Sequence, residues 1–201
     1  MRALASGPGW YLFTLIGIPL ILVVGVIALP GAMASFKGLA SLVPIPWLGQ
    51  IVCVFLHGPL GEEPGWRGFA LPRLQRLHGP LVGSVILGPL WALWHLPFFW
   101  VLAWNFPPTV ANILLFVIAS IPVTIIMTWV FNNTKGSVLI AILGHWSFDF
   151  TFVILNLLFT AAIVTDYGST LPVLVGLGTA ALLVIALTRG HLGYQNYQEA
   201  Q

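Results

Sequence analysis

Five side chains that can gain or lose a proton lie in or beside long apolar stretches of the sequence: Glu62, Glu63, His95, His145 and Asp149. An ionisable group at bilayer depth costs about 2.5–3.5 kcal/mol on insertion scales, so such groups normally face a polar cavity and have partners. Carboxylates and imidazoles placed together can carry out general acid–base chemistry. Structural ion pairing within the membrane is the alternative explanation.

The spacing of the two glutamates indicates different jobs. Adjacent residues on a helix point about 100° apart, so Glu62 and Glu63 cannot address one atom in the same way. Glu63 and Arg67 are four residues apart and are expected to pair, which leaves Glu62 free to face a cavity. Pro64 makes this pairing conditional on the local backbone, because it favours a break in the helix at that point.

The histidines lie in two later apolar stretches. His145 and Asp149 are four residues apart, so one helix face carries both. The carboxylate can orient the imidazole, or both groups can donate to a developing oxyanion if the acid is protonated. His95 shortly precedes Pro97, which is expected to kink the helix beside the histidine. By itself, His95 is equally well explained by a hydrogen bond between helices.

The elements that must position these residues are membrane helices. The 201 residues are 59% hydrophobic and 6% charged, with a mean hydropathy of +1.00, whereas soluble domains carry about 25% charged residues. Apolar stretches lie near residues 10–30, 46–61, 80–103, 109–131, 136–158 and 170–188. A span needs roughly 20 residues. The sequence therefore predicts an all-α, polytopic bundle of about six transmembrane helices, in a single membrane-embedded domain over residues 1–201.

The basic residues predict the orientation of the bundle. With six spans and a cytoplasmic N-terminus, Lys37 alone among the seven basic residues lies outside. The inner six are Arg2, Arg67, Arg73, Arg76, Lys135 and Arg189. We therefore predict N-in and C-in, in the cell (inner) membrane if the source is prokaryotic. The first span is longer than a signal-sequence core, and we expect it to be retained.

Several other classes of protein do not fit the sequence. The seven basic residues are too scattered to track phosphates, so nucleic acid is not a predicted partner. Cys53 is the single cysteine and lies inside an apolar run, where we interpret it as a packing residue, so neither an intrachain disulfide nor thiol catalysis is predicted. The sequence has no His-Glu-x-x-His metal motif, no Gly-x-Ser-x nucleophile element paired with a histidine and no Gly-x-Gly-Asp motif.

Three segments, taken in order and spacing, resemble the motifs of the CAAX-protease and bacteriocin-processing family. Those motifs are Glu-Glu-x-x-x-Arg, Phe-x-x-x-His and His-x-x-x-Asn/Asp. The matching segments are 62–67 (EEPGWR), 91–97 (WALWHLP) and 145–149 (HWSFD), and the similarity covers roughly residues 48–158. The resemblance implies an intramembrane endopeptidase that hydrolyses a peptide bond in a prenylated, CAAX-type or membrane-embedded peptide. Membrane lipid and that peptide would be its partners.

The resemblance also implies roles for the motif residues. Glu62 and His95 would activate a water molecule, and His145 and Asp149 would stabilise the tetrahedral oxyanion. The remaining two motif residues would support the site; they are Glu63 and Arg67.

Two positions depart from the usual family pattern. Trp91 stands where Phe is usual, and we expect this change to alter packing and pocket shape more than chemistry. Asp149 stands where the prenyl-protein-processing members have Asn, and an acid can donate to an oxyanion only when it is protonated. An ionised Asp149 could instead orient His145 or help to hold a metal.

The sequence leaves an alternative open both for the cofactor and for the function. The resemblance is compatible with both a metal-dependent and a glutamate-dependent enzyme, and we favour no cofactor. If a zinc ion were present, its ligands would be Glu62, His95, His145 and Asp149. A non-proteolytic bacteriocin self-immunity or scaffold protein of the same fold is the alternative function. A proton-relaying transporter is a third, against which the complete set of motifs and the lack of an internal repeat both argue.

Overall fold

A computed structural model describes residues 7–42, 46–101, 107–160 and 170–201. Within these ranges the regular structure is helical, and the β-type pairing is limited to one isolated bridge between Phe36 and Phe159. In chain order the helices are α1 (Pro8–Ile27), α2 (Trp47–His57), α3 (Pro59–Gly65), α4 (Leu71–His78), α5 (Pro80–Trp94), α6 (Val110–Asn133), α7 (Val138–Leu158), α8 (Thr170–Thr188) and α9 (Tyr194–Gln198). The predicted all-α fold class is confirmed.

Five helical segments of the described residues are long and apolar enough to cross a membrane. They are α1, α6, α7, α8 and the segment Pro80–Trp100, which is α5 with a 3-10 helical extension. The predicted span at 46–61 is instead interrupted, because α2 ends at His57 and α3 begins at Pro59. The bundle is polytopic as predicted. The count of six spans and the N-in, C-in orientation stay predictions, and Arg2 lies outside the described residues.

The outer surface of the bundle is apolar, as a membrane requires. Large hydrophobic side chains are widely exposed; Leu187 and Leu48, for example, have exposed fractions of 83% and 76%. Helix α2 has no buried residue, although it packs against α3 and α7. In water such a surface would promote association, whereas lipid tails cover it without cost. The protein is an integral, multi-pass membrane protein.

Helices α1 and α8 cross at two glycines. A side-chain carbon at Gly25 would overlap the backbone oxygen of Pro172, and one at Gly176 would overlap that of Ile21. The two backbones therefore touch at a distance that only glycine allows. Leu22 lies beside this crossing and is fully buried. Close backbone approach of this kind is a usual way to hold membrane helices together.

Helix α7 is tied to neighbouring segments at its middle and at its C-terminus. Near its middle, the Ser147 hydroxyl donates to the backbone oxygen of Thr14. Thr14 belongs to a π-helical turn, Phe13–Gly17, where α1 widens. At its C-terminus, the backbone N–H of Lys37 donates to Leu158 O at 2.7 Å. These contacts fix the position of the helix that carries the HWSFD motif.

Candidate active site

The glutamate pair lies on α3, just after a break in the chain. Gly58 has φ −131° and ψ −69°, which ends α2, and Pro59 then occupies the first turn of the new helix. Pro64 lies inside α3 and does not break it. The helix continues into a π-helical turn, Trp66–Ala70. The break expected at Pro64 is therefore wrong, and the interruption falls six residues earlier, at Gly58.

Glu63 is the centre of a buried ion-pair network. Its Oε1 accepts from Arg67 NH1 at 2.6 Å and from His145 Nδ1 at 2.7 Å. The exposed fractions are 0% for Glu63, 2% for Arg67 and 5% for His145. The predicted pairing of Glu63 with Arg67 is confirmed. The contact with His145 crosses from α3 to α7, and the sequence analysis did not foresee it.

Glu62 points to a different group of partners. Its Oε2 accepts a hydrogen bond from the indole N–H of Trp91 at 2.8 Å. Its Oε1 lies 3.9 Å from Nε2 of His95, which is longer than a direct hydrogen bond. The two side chains retain exposed fractions of 11% and 12%. Glu62 and His95 therefore flank a small space that remains accessible, as their predicted role requires.

His95 occupies the point where α5 ends. The α-helix stops at Trp94, and the chain continues as the 3-10 helix Leu96–Trp100, which contains Pro97. The change of helix type agrees with the kink expected from Pro97. The Nδ1 atom of His95 lies 2.9 Å from the backbone oxygen of Trp91. A carbonyl oxygen only accepts, so Nδ1 donates, and in the neutral ring Nε2 carries the lone pair that faces Glu62.

Asp149 approaches the same space from α7. Its Oδ2 lies 3.5 Å from Nε2 of His145, and 35% of its side chain is exposed. The predicted shared helix face is therefore observed. A side-chain carbon at Gly58 would lie 3.1 Å from Glu62 Oε1 and 3.8 Å from Asp149 Oδ2. Two carboxylates from different helices thus both approach Gly58, which has no side chain.

The rings of the site pack around Trp91. Its ring centroid lies 4.7 Å from that of His95 and 5.7 Å from that of His145, both in edge-to-face geometry. The structure therefore gathers all six predicted residues into one cluster; they come from α3 and α7 and from the segments that directly follow α3 and α5. The sequence did not predict that Trp91 donates a hydrogen bond to Glu62, or that Gly58 lies beside Glu62 and Asp149. The spacing of four between Trp91 and His95 was an available signal, since it puts both on one helix face.

The candidate metal ligands lie in one cluster, but their arrangement does not form a metal site. Among the residues that the structure describes, no group of three or more His, Cys, Asp or Glu side chains is arranged to hold a metal ion. Nδ1 of His145 is engaged by Glu63, and the other ring nitrogen faces Asp149 at 3.5 Å. The predicted metal-free chemistry stays a prediction.

A multi-pass membrane bundle with a glutamate–histidine cluster at a break between helices defines the class of protein. Residues 44–151, which make up more than half of the chain, match the family model described as Type II CAAX prenyl endopeptidase Rce1-like. The chain belongs to this family. The resemblance drawn from the three motifs is confirmed.

One curated relative can be compared along the chain. CAAX prenyl protease 2 of Methanococcus maripaludis is 29% identical over 119 residues. The aligned part covers 56% of this chain and 41% of the relative. The chain therefore spans less than half the length of the curated relative that it matches.

Proposed function

We propose that this protein is an intramembrane endopeptidase that hydrolyses a peptide bond in a prenylated, CAAX-type peptide. The observation that carries the proposal is the pair Glu62 and His95, separated by 3.9 Å and still partly exposed, with Asp149 approaching the same backbone position, Gly58, as Glu62. The family model and the name of the relative support the choice of substrate class.

The first step of the proposed mechanism is activation of water. A water molecule beside Oε1 of Glu62 can give its proton to that carboxylate while Nε2 of His95 accepts a hydrogen bond from its second hydrogen. The water oxygen then bonds to the carbonyl carbon of the substrate, and the carbonyl electron pair moves to its oxygen. The oxyanion electron pair then re-forms the carbonyl while the C–N bond breaks, and the proton held by Glu62 passes to the leaving amine, so that the carboxylate is restored.

The second element is stabilisation of the oxyanion. His145 donates its Nδ1 proton to Glu63, so donation to an oxyanion from Nε2 requires the imidazolium form. Glu63 favours that form by its charge, and Asp149 adds a second carboxylate beside the ring. Asp149 contributes its own hydrogen bond when protonated. In this proposal Glu63 and Arg67 act on the reaction through His145 and do not touch the substrate.

The position of the site favours a substrate that comes from the lipid. Glu62 and Asp149 both approach Gly58, immediately after helix α2, which has no buried residue. A prenyl chain anchored in the bilayer would bring the attached peptide to this side of the bundle at high local concentration. We propose that no metal takes part, because the charged groups already pair with one another and no three of the described ligand-type side chains are arranged to hold a metal ion.

The experiment that tests this function is a cleavage assay with the purified full chain in lipid nanodiscs. A farnesylated CAAX reporter peptide is compared with the same peptide lacking the lipid and with a membrane-spanning peptide, and products are identified by mass spectrometry. Cleavage of the farnesylated peptide, abolished by His95→Ala, is the expected result. Turnover that is equal in wild type and His95→Ala would overturn the mechanism. Failure to cleave any of the three peptides would favour the non-proteolytic immunity or scaffold function.

A further inference from the structure

We propose that Trp91 is a positioning residue that holds Glu62 and His95 in the arrangement needed to activate water. This inference rests on the proposed function and deepens it. The residue replaces the phenylalanine that is usual at this place in the family pattern, and it touches both members of the pair with different atoms. Packing alone, which the sequence suggested for it, does not describe these two contacts.

The first contact acts on the carboxylate. The indole N–H of Trp91 donates to Oε2 of Glu62 at 2.8 Å, and Trp91 has an exposed fraction of only 6%. An indole nitrogen is a donor only, so the direction of this bond cannot reverse. It occupies Oε2 and leaves Oε1 directed toward His95 and the space at Gly58. The two oxygens of one carboxylate are thereby made unequal.

The second contact acts on the imidazole. The backbone oxygen of Trp91 accepts from Nδ1 of His95 at 2.9 Å. This bond selects the neutral tautomer whose lone pair is on Nε2, the nitrogen that faces Glu62. One residue therefore determines which oxygen of Glu62 and which nitrogen of His95 face each other.

The indole is itself held in place. Its ring stacks on Phe116 of α6, with centroids 6.3 Å apart and planes inclined by 26°. The rings of His95 and His145 pack against it in edge-to-face contacts at 4.7 and 5.7 Å. Rotation of the indole away from Glu62 would break these three ring contacts together. The donor is therefore preorganised before substrate binds.

A phenylalanine at this position would keep a ring but lose the donor. A hydrogen bond to the ionised form of a carboxylate favours that form. Without the indole N–H, the two oxygens of Glu62 would exchange roles freely. The hydrogen bond therefore keeps one chosen oxygen of the carboxylate available.

The test compares wild type with Trp91→Phe in the nanodisc assay, over a range of pH. We expect kcat to fall about tenfold, which corresponds to one hydrogen bond to a charged group, with KM changed less than about twofold. The acid limb of the kcat/KM profile should move to higher pH. Trp94→Phe is the matched control, because the Trp94 ring also packs on His95, at 4.8 Å, from the exposed side of the helix. Its acid limb should stay with that of wild type.

A second variant removes the N–H group and nothing else. Benzothienylalanine, introduced at position 91 by codon suppression, has a sulfur atom in place of the indole N–H and keeps the shape of the side chain. It should reproduce both the loss in kcat and the shift of the acid limb. Because it preserves the ring contacts, an effect on folding would not account for that result.

The outcomes separate the inference from the function on which it rests. Suppose that the wild type cleaves and that Trp91→Phe and the benzothienyl variant match it in kcat and in the acid limb of the pH profile. This result overturns the positioning role and leaves the proposed function intact. Equal losses in Trp91→Phe and Trp94→Phe without a pH shift would show a packing role and also overturn it. A wild type that cleaves none of the peptides rejects the proposed function, and the positioning role falls with it.

Discussion

Glu62 and Glu63 are neighbours in sequence and occupy opposite environments. Glu63 is fully buried, and one of its oxygens accepts from both Arg67 and His145. Glu62 keeps 11% of its side chain exposed, accepts one hydrogen bond from Trp91 and directs its other oxygen at His95 across 3.9 Å. The difference teaches that two adjacent, identical carboxylates reach different partners because they point in different directions on the helix. Glu63 is held by buried partners, and Glu62 keeps part of its side chain accessible, as the proposed base requires.

Glu62→Gln should have the largest effect on turnover. The amide cannot take a proton from water, so kcat should fall by about 10²–10⁴-fold, the usual contribution of a general base. The thermal unfolding midpoint of the purified protein should change little, because Glu62 is only lightly paired. Cleavage of the farnesylated reporter and a melting curve on the same sample measure both quantities. Retention of wild-type kcat would transfer the role of base to another residue.

Glu63→Gln should instead destabilise the protein. Removing one partner of a buried ion pair leaves the charge of Arg67 uncompensated, at a cost of about 3–5 kcal/mol. The melting midpoint in detergent should fall sharply. The double substitution Glu63→Met with Arg67→Met should recover much of that stability, since two apolar side chains replace the pair.

Activity should not return in the double variant, because Nδ1 of His145 has lost its acceptor. Recovery of turnover together with stability would show that Glu63 has no influence on the chemistry. An unchanged melting midpoint in Glu63→Gln would contradict the contrast between the two glutamates.

Asp149→Asn should have a small effect on rate and a clear effect on pH dependence. An amide donates to an oxyanion at any pH, whereas the acid donates only when protonated. We therefore expect kcat within about tenfold of wild type near neutrality and activity that extends to higher pH. A pH profile that is identical to that of wild type would remove Asp149 from the oxyanion site.

Chelation should have the smallest effect of all. If Glu62 were a metal ligand, it would not be available as a free base, and its difference from the paired Glu63 would be lost. We expect turnover to be unchanged after dialysis against EDTA and o-phenanthroline, with no stoichiometric zinc by elemental analysis. Zinc that is bound in wild type and lost in His145→Ala would establish the metal-dependent mechanism.

The parts of the site that could be predicted are those set within one helix. Glu63 with Arg67 and His145 with Asp149 follow from a spacing of four, and the structure shows both pairs. The bond from His145 to Glu63 joins residues 82 positions apart. No periodicity reports such a contact, because it depends on how α3 and α7 pack.

The position of the helix break was predicted less well. Pro64 carries the stronger local signal, yet a π-helical turn follows it and the helix continues. Gly58 supplies the break, and because it has no Cβ it admits two carboxylates beside it. The length of an apolar stretch also did not reveal that 46–61 is divided between two helices. Hydropathy depends on residue composition, so it does not detect a break of one turn within an apolar stretch.

The glycine crossing of α1 and α8 has a mechanical consequence for catalysis. Neither helix supplies a reactive side chain, but Thr14 on α1 is tied to Ser147, two residues after His145. At Gly25 and Gly176 the two backbones bear directly on each other, without side chains that could yield. The crossing therefore restrains α1 and, through the bond between Thr14 and Ser147, the position of His145. A methyl group added at either glycine would push α1 away from α8 and shift the His145 ring from its place in the site.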